Sequence, residues 1–209
     1  MNINLSLVIS LVSLGLSLVT AWLTWFHRGT IKMTHPALVF FGPDDIGKAK
    51  IYLRTLLHST SRRGQIIESM FLKVSRGDGV QQFNVWMYGQ TNALVVGGGL
   101  FVGYEGVAAN HHFVLPPSSP EYQFLEGPYL IEAFAKLANS KGFIPLWKHE
   151  VTLDAAEEMV MIDGNAGLQF HWDPTARVYQ HRLDTEGGRE QMGQGGSESI
   201  QQTCRLLTR

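Results

Sequence analysis

Phe124-Leu125-Glu126-Gly127-Pro128-Tyr129-Leu130-Ile131-Glu132-Ala133-Phe134-Ala135 is the stretch on which the fold is decided. Gly127-Pro128 is a turn signal, and Tyr129 then opens an alternating segment that carries a strand pattern to Leu137. Working outward, the same grammar repeats. Ala37 to Phe41 is an apolar strand, closed by the turn Gly42-Pro43-Asp44-Asp45. Ile51, Leu53, Thr55 and Leu57 alternate imperfectly with their neighbours, so a helix over Ile46 to His58 competes with a strand there. Ile66 to Val74 is strand-like, Arg76-Gly77-Asp78-Gly79 is a hairpin turn by composition, and Gln82 to Tyr88 alternates. Ala93 to Val96 and Leu100 to Val102 flank Gly97-Gly98-Gly99, which reads as a tight turn or bulge, or as a close backbone contact with a partner or neighbouring chain. Val107 to Leu115 ends in a proline-rich loop, and Leu146 to Leu153 is a further strand. Asp154 to Met161 reads as a short helix, with Asp154 as cap and Glu157 in the capping-box position. Leu168 to Trp172 and Arg177 to His181 close the series as strands.

Short strands separated by turns every 8–12 residues or so indicate a two-sheet β-sandwich. A β-barrel of similar size fits the same pattern. Helical segments long enough for repeated crossovers are missing, which argues against an α/β fold. The glycine turn followed by Tyr129 looks like the tyrosine corner of immunoglobulin-like domains. Tyr129 is then a structural residue whose hydroxyl pins a loop; an ordinary half-buried strand tyrosine is the alternative. The fold expected is all-β, an immunoglobulin-like two-sheet sandwich behind one N-terminal transmembrane helix.

That helix is read from the first 26 residues, which hold no Asp, Glu, Lys, Arg or His. At 1.5 Å per residue such a run matches a hydrocarbon core of roughly 30 Å. Trp22, Trp25 and Phe26 stand where interfacial aromatics are expected. A cleaved signal peptide is the rival, but no basic residue precedes the apolar run. Arg28 and Lys32 follow it, so the positive-inside rule places the N-terminus outside and the body in the cytoplasm of a bacterial inner membrane. Ser6, Ser10, Ser13, Ser17, Thr20 and Thr24 recur at alternating spacings of four and three, a stripe of small hydroxyl residues suited to helix–helix contact with a second copy or another membrane protein. The plainer reading is that these hydroxyls bond their own i−4 carbonyls.

The chain has 17 Lys+Arg and 18 Asp+Glu, a balance that argues against a general nucleic-acid binder. One cysteine, Cys204, leaves neither an intramolecular disulfide nor a cysteine-rich metal site. The near-neutral total conceals a split. Residues 27–83 carry nine basic and four acidic side chains, and residues 84–183 carry five and ten. Lys48, Lys50, Arg54, Arg62 and Arg63, if they share a surface, would meet anionic lipid or an acidic partner; a solvated accident is the bland account.

Residues suited to chemistry are sparse. His111 and His112 are adjacent, and strand geometry turns them to opposite faces. One of them could join His171 or His149 as a ligand or metal site, which is the alternative function of a sensor or hydrolase. No H-E-x-x-H, Walker or dinucleotide fingerprint occurs, so no cofactor and no catalytic residue is expected.

The runs Trp25 to Thr34, Val39 to Asp44, Phe83 to Gly89 and Gly106 to Phe113 resemble small bacterial single-pass membrane proteins of uncharacterised function with an immunoglobulin-like β domain. The resemblance covers roughly residues 1–182. It implies a bacterial origin and a compact β domain behind one anchor, and it carries over no catalytic residue. The organisation expected is an anchor over 1–28, a juxtamembrane linker over 29–35, a β-sandwich over 36–182 and a flexible tail over 183–209. The function expected is a non-enzymatic interaction or accessory module of a membrane protein assembly, with anionic-lipid binding as a further alternative.

Overall fold

The computed structural model describes residues 5–22, 24, 29–44, 47–89, 94–162 and 166–184. Of the tail expected over 183–209, Leu183 and Asp184 are paired strand residues, and the rest, with Cys204, lies outside the described residues, as does the aromatic pair Trp25-Phe26. In chain order the elements are α1 (Leu5–Ala21), β1 (Ile31–Met33), β2 (Leu38–Pro43), β3 (Ala49–Ser59), β4 (Gln65–Arg76), β5 (Gly79–Phe83), β6 (Val85–Gly89) and β7 (Val95–Val96). Then come β8 (Leu100–Val102), β9 (Val107–Val114), β10 (Gly127–Leu137), β11 (Phe143–Leu153), α2 (Ala155–Ile162), β12 (Gly167–Asp173) and β13 (Val178–Asp184).

Two antiparallel sheets result. The first runs β13-β12-β2-β3-β9-β6-β7, with β1 also on β3; the second runs β11-β10-β4-β5, with β8 also on β4. The protein is therefore mostly β, with two sheets consistent with a sandwich. Each sheet has one long strand that is shared end to end along one edge. β2 pairs with Ala49 to Arg54 of β3 and β1 with Leu57 to Ser59. Likewise β5 pairs with the far end of β4 and β8 with its start.

Burial explains why β3 is a strand and not the competing helix over Ile46 to His58. Ala49, Ile51, Leu53, Thr55, Leu57 and Ser59 are all buried, with period 2. A helix would send half of them to solvent. The segment Gln82 to Tyr88, which reads as one alternating strand, is two. Phe83 pairs with Leu72 in the second sheet and Val85 with Val114 in the first, so the chain changes sheets at Asn84. The stretch 29–35, expected as linker, holds β1, whose backbone bonds and buried Ile31 make it part of the first sheet.

The core lies between the sheets. Phe41 stacks on Phe124 at 4.7 Å and meets Tyr129 and Phe170 edge-on. Ile51, Leu53, Leu72 and Ile131 fill the space beside them and are fully buried. Burying each such side chain is worth about 1.5–3 kcal/mol. Tyr129 is also fully buried, and its hydroxyl accepts from Leu125 N–H and donates to Leu125 C=O, both at 2.7 Å.

Among the described residues, no helix is long and apolar enough to cross a membrane. α1 has 17 described residues, about 26 Å at the α-helical rise, and none of its side chains is buried.

Candidate functional site

The sandwich has two ends, set by the direction of β3. Its last residue, Ser59, lies at the end where Thr30 joins the sheet: Thr60 N–H donates to Thr30 C=O at 2.9 Å, and Thr30 N–H to the Thr60 hydroxyl at 2.8 Å. This is the proximal end, from which the chain runs back towards α1. Ala49 lies at the distal end, about 33 Å away along a strand of eleven residues.

The three histidines singled out from the sequence are not brought together. His111 points inward from β9 and is fully buried. Its Nδ1 accepts from the Trp86 indole N–H at 3.1 Å. The proton of the neutral ring therefore sits on Nε2, which has no hydrogen-bond partner among the described residues. Burial, and secondarily His112, pulls the His111 pKa down to about 4. His112 is on the outer face, 4.7 Å from the Tyr52 ring. His171 is exposed on β12, with Nε2 3.0 Å from Gln169 Oε1. Two strands, β2 and β3, separate β12 from β9, so His171 and His112 stand at least about 14 Å apart. No group of three His, Cys, Asp or Glu able to hold a metal occurs among the described residues.

Trp86 accounts for one of the glycines. Its ring lies against Gly97 so closely that a Cβ there would collide with it. Of the two sequence readings of the triple glycine, the turn applies, with Gly99 at φ +115°; the close approach at Gly97 comes from this chain's own Trp86.

A histidine pair that spacing does not reveal is assembled instead at the side of the sandwich. His35, between β1 and β2, stacks on Trp172 with ring centroids 4.2 Å apart and planes within 1°. Its Nδ1 accepts from the Trp147 indole at 3.3 Å. His149 stands 6.0 Å from His35, edge-on to Trp172 and to Tyr179. Burial first, and then His35, lowers the His149 pKa. The Tyr179 hydroxyl donates to Pro36 C=O at 2.8 Å. The cluster fastens β11 of the second sheet to β12 and β13 of the first. Two imidazoles without a third ligand or an adjacent nucleophile make a clamp of this seam more readily than a reactive centre. More than a hundred residues separate His35 from its partners, which is why no local motif marks it.

The five basic residues are divided by the fold. Lys48 lies at the distal end, where its Nζ donates to Pro117 C=O at 3.0 Å. Lys50 and Arg54 lie along β3. Only Arg62 and Arg63, in the turn between β3 and β4, reach the proximal end, and both are exposed.

Two depressions lie at the distal end. One, of about 150 Å³, is lined by Gly42, Ala49, Tyr122, Phe124 and Met161; a second, of about 540 Å³, by Arg76, Val80, Gln81, Tyr122 and Leu125. Tyr122, shared by both, has its pKa pushed up to about 12, chiefly by burial, so its hydroxyl stays protonated at neutral pH.

In α1 the Ser/Thr stripe satisfies itself. The hydroxyls of Ser10, Ser17, Thr20 and Thr24 each donate to the carbonyl four residues earlier, at 2.7–2.9 Å. Ser6 and Ser13 supply two of those carbonyls.

No protein-family model matches this chain, and no curated protein matches it.

Proposed function

We propose that the protein is a membrane-anchored β-sandwich that serves as a non-enzymatic interaction or accessory module of a membrane protein assembly. The observation that carries this reading is the unshielded apolar surface of α1. Leu5, Leu11, Leu14 and Leu18 are all more than half exposed, and the sandwich covers none of the helix. Each such side chain costs about 1.5–3 kcal/mol when left in water. A bilayer covers them, and the sequence from Met1 to Phe26 holds no charged residue. Arg28 and Lys32 support an N-terminus outside and a cytoplasmic sandwich in a bacterial inner membrane, in line with the resemblance to single-pass bacterial proteins.

The immunoglobulin-like identity rests on Tyr129. Its two hydrogen bonds to the backbone four residues upstream have the form of a tyrosine corner.

Helix–helix contact through Ser6, Ser10, Ser13, Ser17, Thr20 and Thr24 works by close approach of small residues, since four of the hydroxyls already donate within their own helix. The test uses the full chain expressed in bacteria. It should stay in the membrane pellet through an alkaline wash, and the double change Ser13→Leu and Ser17→Leu should weaken its crosslinking. Release by the wash overturns the anchor, and unchanged crosslinking overturns the stripe as the contact.

A further inference from the structure

Three turns surround Thr30 at the proximal end: Thr60 to Gly64, Gly103 to Gly106 and Ala138 to Gly142. The first is bonded to Thr30 itself; the second is held by Ser59 N–H on Gly103 C=O at 3.0 Å; the third is held by Ala138 N–H on Ile66 C=O at 3.0 Å. Their charged side chains are Arg62, Arg63 and Lys141 against one acid, Glu105, all exposed. The neighbouring turn between β12 and β13 adds Asp173 and Arg177, which cancel. At the distal end the turns carry Lys48 and Arg76 against Asp44, Asp78, Glu121, Glu126 and the Asp154, Glu157 and Glu158 start of α2. The two ends of the sandwich therefore differ in charge, although the split along the sequence does not map onto them.

Large side chains are exposed at the same end as the cations. Phe101 is 59% exposed and Tyr104 62% exposed, and Ile66 lies directly across from Phe101 in the β4–β8 pairing. Phe101 has a fixed place: its ring lies over Gly64, at φ +64°, where a Cβ would come within 2.5 Å of it. Aromatics beside arginines, on a surface that neither sheet covers, match the bilayer interface, where aromatic rings and basic groups both partition favourably.

Chain length fixes which end this is. Seven residues separate Ala21, the last of α1, from Gly29, and the eight peptide steps between them span at most about 28 Å. The proximal end is therefore held near the bilayer if α1 is in it, and the acidic end points away.

We infer that the proximal end, through Arg62, Arg63, Lys141, Phe101 and Tyr104, seats the sandwich on an anionic lipid surface. The inference rests on the anchor reading above. Seating would hold the domain in one orientation and leave its distal end free for a partner. Loss of one such arginine weakens the seated state about fivefold.

The test uses the full chain with Cys204→Ser, reconstituted in vesicles of phosphatidylcholine and phosphatidylglycerol. A polarity-sensitive fluorophore is placed at a single new cysteine, Leu14→Cys, Tyr104→Cys or Asp78→Cys. Lipids with a quencher near the headgroup, and separately deep in the tail, report contact. The expected result is deep quenching at 14, shallow quenching at 104 and none at 78. Adding Arg62→Gln, or moving to pure phosphatidylcholine, should lower the quenching at 104 only. Quenching at 14 without quenching at 104 overturns the seating and keeps the anchor, leaving the basic turns to an acidic protein face. Absence at 14 with quenching at 104 overturns the anchor and keeps the lipid surface. Equal quenching at 104 and 78 overturns the proposed orientation.

Discussion

The two ends of the sandwich present different surfaces. At the distal end, charged and hydroxyl groups tie the protein to itself. Asp154 and Glu157 cap α2 reciprocally at 2.9 Å, and Glu157 also reaches His181 Nδ1 at 2.7 Å. Glu158 accepts from Glu126 N–H at 2.7 Å, Arg76 donates to Glu126 C=O at 2.8 Å, and Tyr129 holds Leu125. At the proximal end Phe101 and Tyr104 are displayed to the outside next to Arg62 and Arg63. A residue that completes a loop and a residue that meets another body are both surface residues by sequence. Only their hydrogen bonds and exposure separate them.

Substitutions should sharpen that contrast, and the largest effect belongs to the distal end. Tyr129→Ala removes a fully buried ring and leaves Leu125 without its hydroxyl partner, so a loss of about 3–5 kcal/mol in urea unfolding is expected. A loss under about 1 kcal/mol would mean that the loop holds without its pin.

Acidification comes next and tests the middle of the molecule. His111 titrates near 4 in the folded protein and near its ordinary 6.5 when unfolded. Between those values the unfolded chain binds the extra proton. Stability therefore falls as pH drops from about 6.5 to 4, by up to about 3 kcal/mol from this group. His111→Asn, which keeps an acceptor near Trp86, should flatten the slope in that window. A slope unchanged in the variant would assign it to other groups.

Asp154→Ala should cost about 1 kcal/mol through the lost cap, with melting and circular dichroism as readouts. The smallest effect is expected at the proximal end, where Tyr104→Ala should move stability by no more than about 0.5 kcal/mol. A destabilisation as large as that of Asp154→Ala would erase the distinction between the two ends.

Much of the sandwich is legible in the sequence because turn chemistry is local. Arg76 to Gly79 and the Asp154-x-x-Glu157 box mark their own positions, whereas Gly42 and Pro43, expected in a turn, still pair with β3 and the chain turns only from Asp44. The sheet change at Asn84 is not legible, since alternation continues across it while the hydrogen-bond partners change. β3 is ambiguous for a related reason: Leu56 is apolar but faces outward, which blurs the period. The His35 seam needs three distant segments to meet, and no window of sequence contains it. The basic set illustrates the same limit, because a fully extended strand carries Lys48 and Arg62 to opposite ends.

β1 also has a mechanical consequence. It is only three residues long, antiparallel to the end of β3, and it is the segment through which any pull from the N-terminal side enters the domain. Its strand axis runs towards the end where Gly29 leaves, so tension loads Ile31, Lys32 and Met33 against Ser59, His58 and Leu57 together, in shear. Pairs loaded side by side yield as a group, whereas pairs peeled from one end yield singly. A short strand placed this way transmits force into the long strand beside it before it gives, and the stacked His35 behind it is the next link to feel the load.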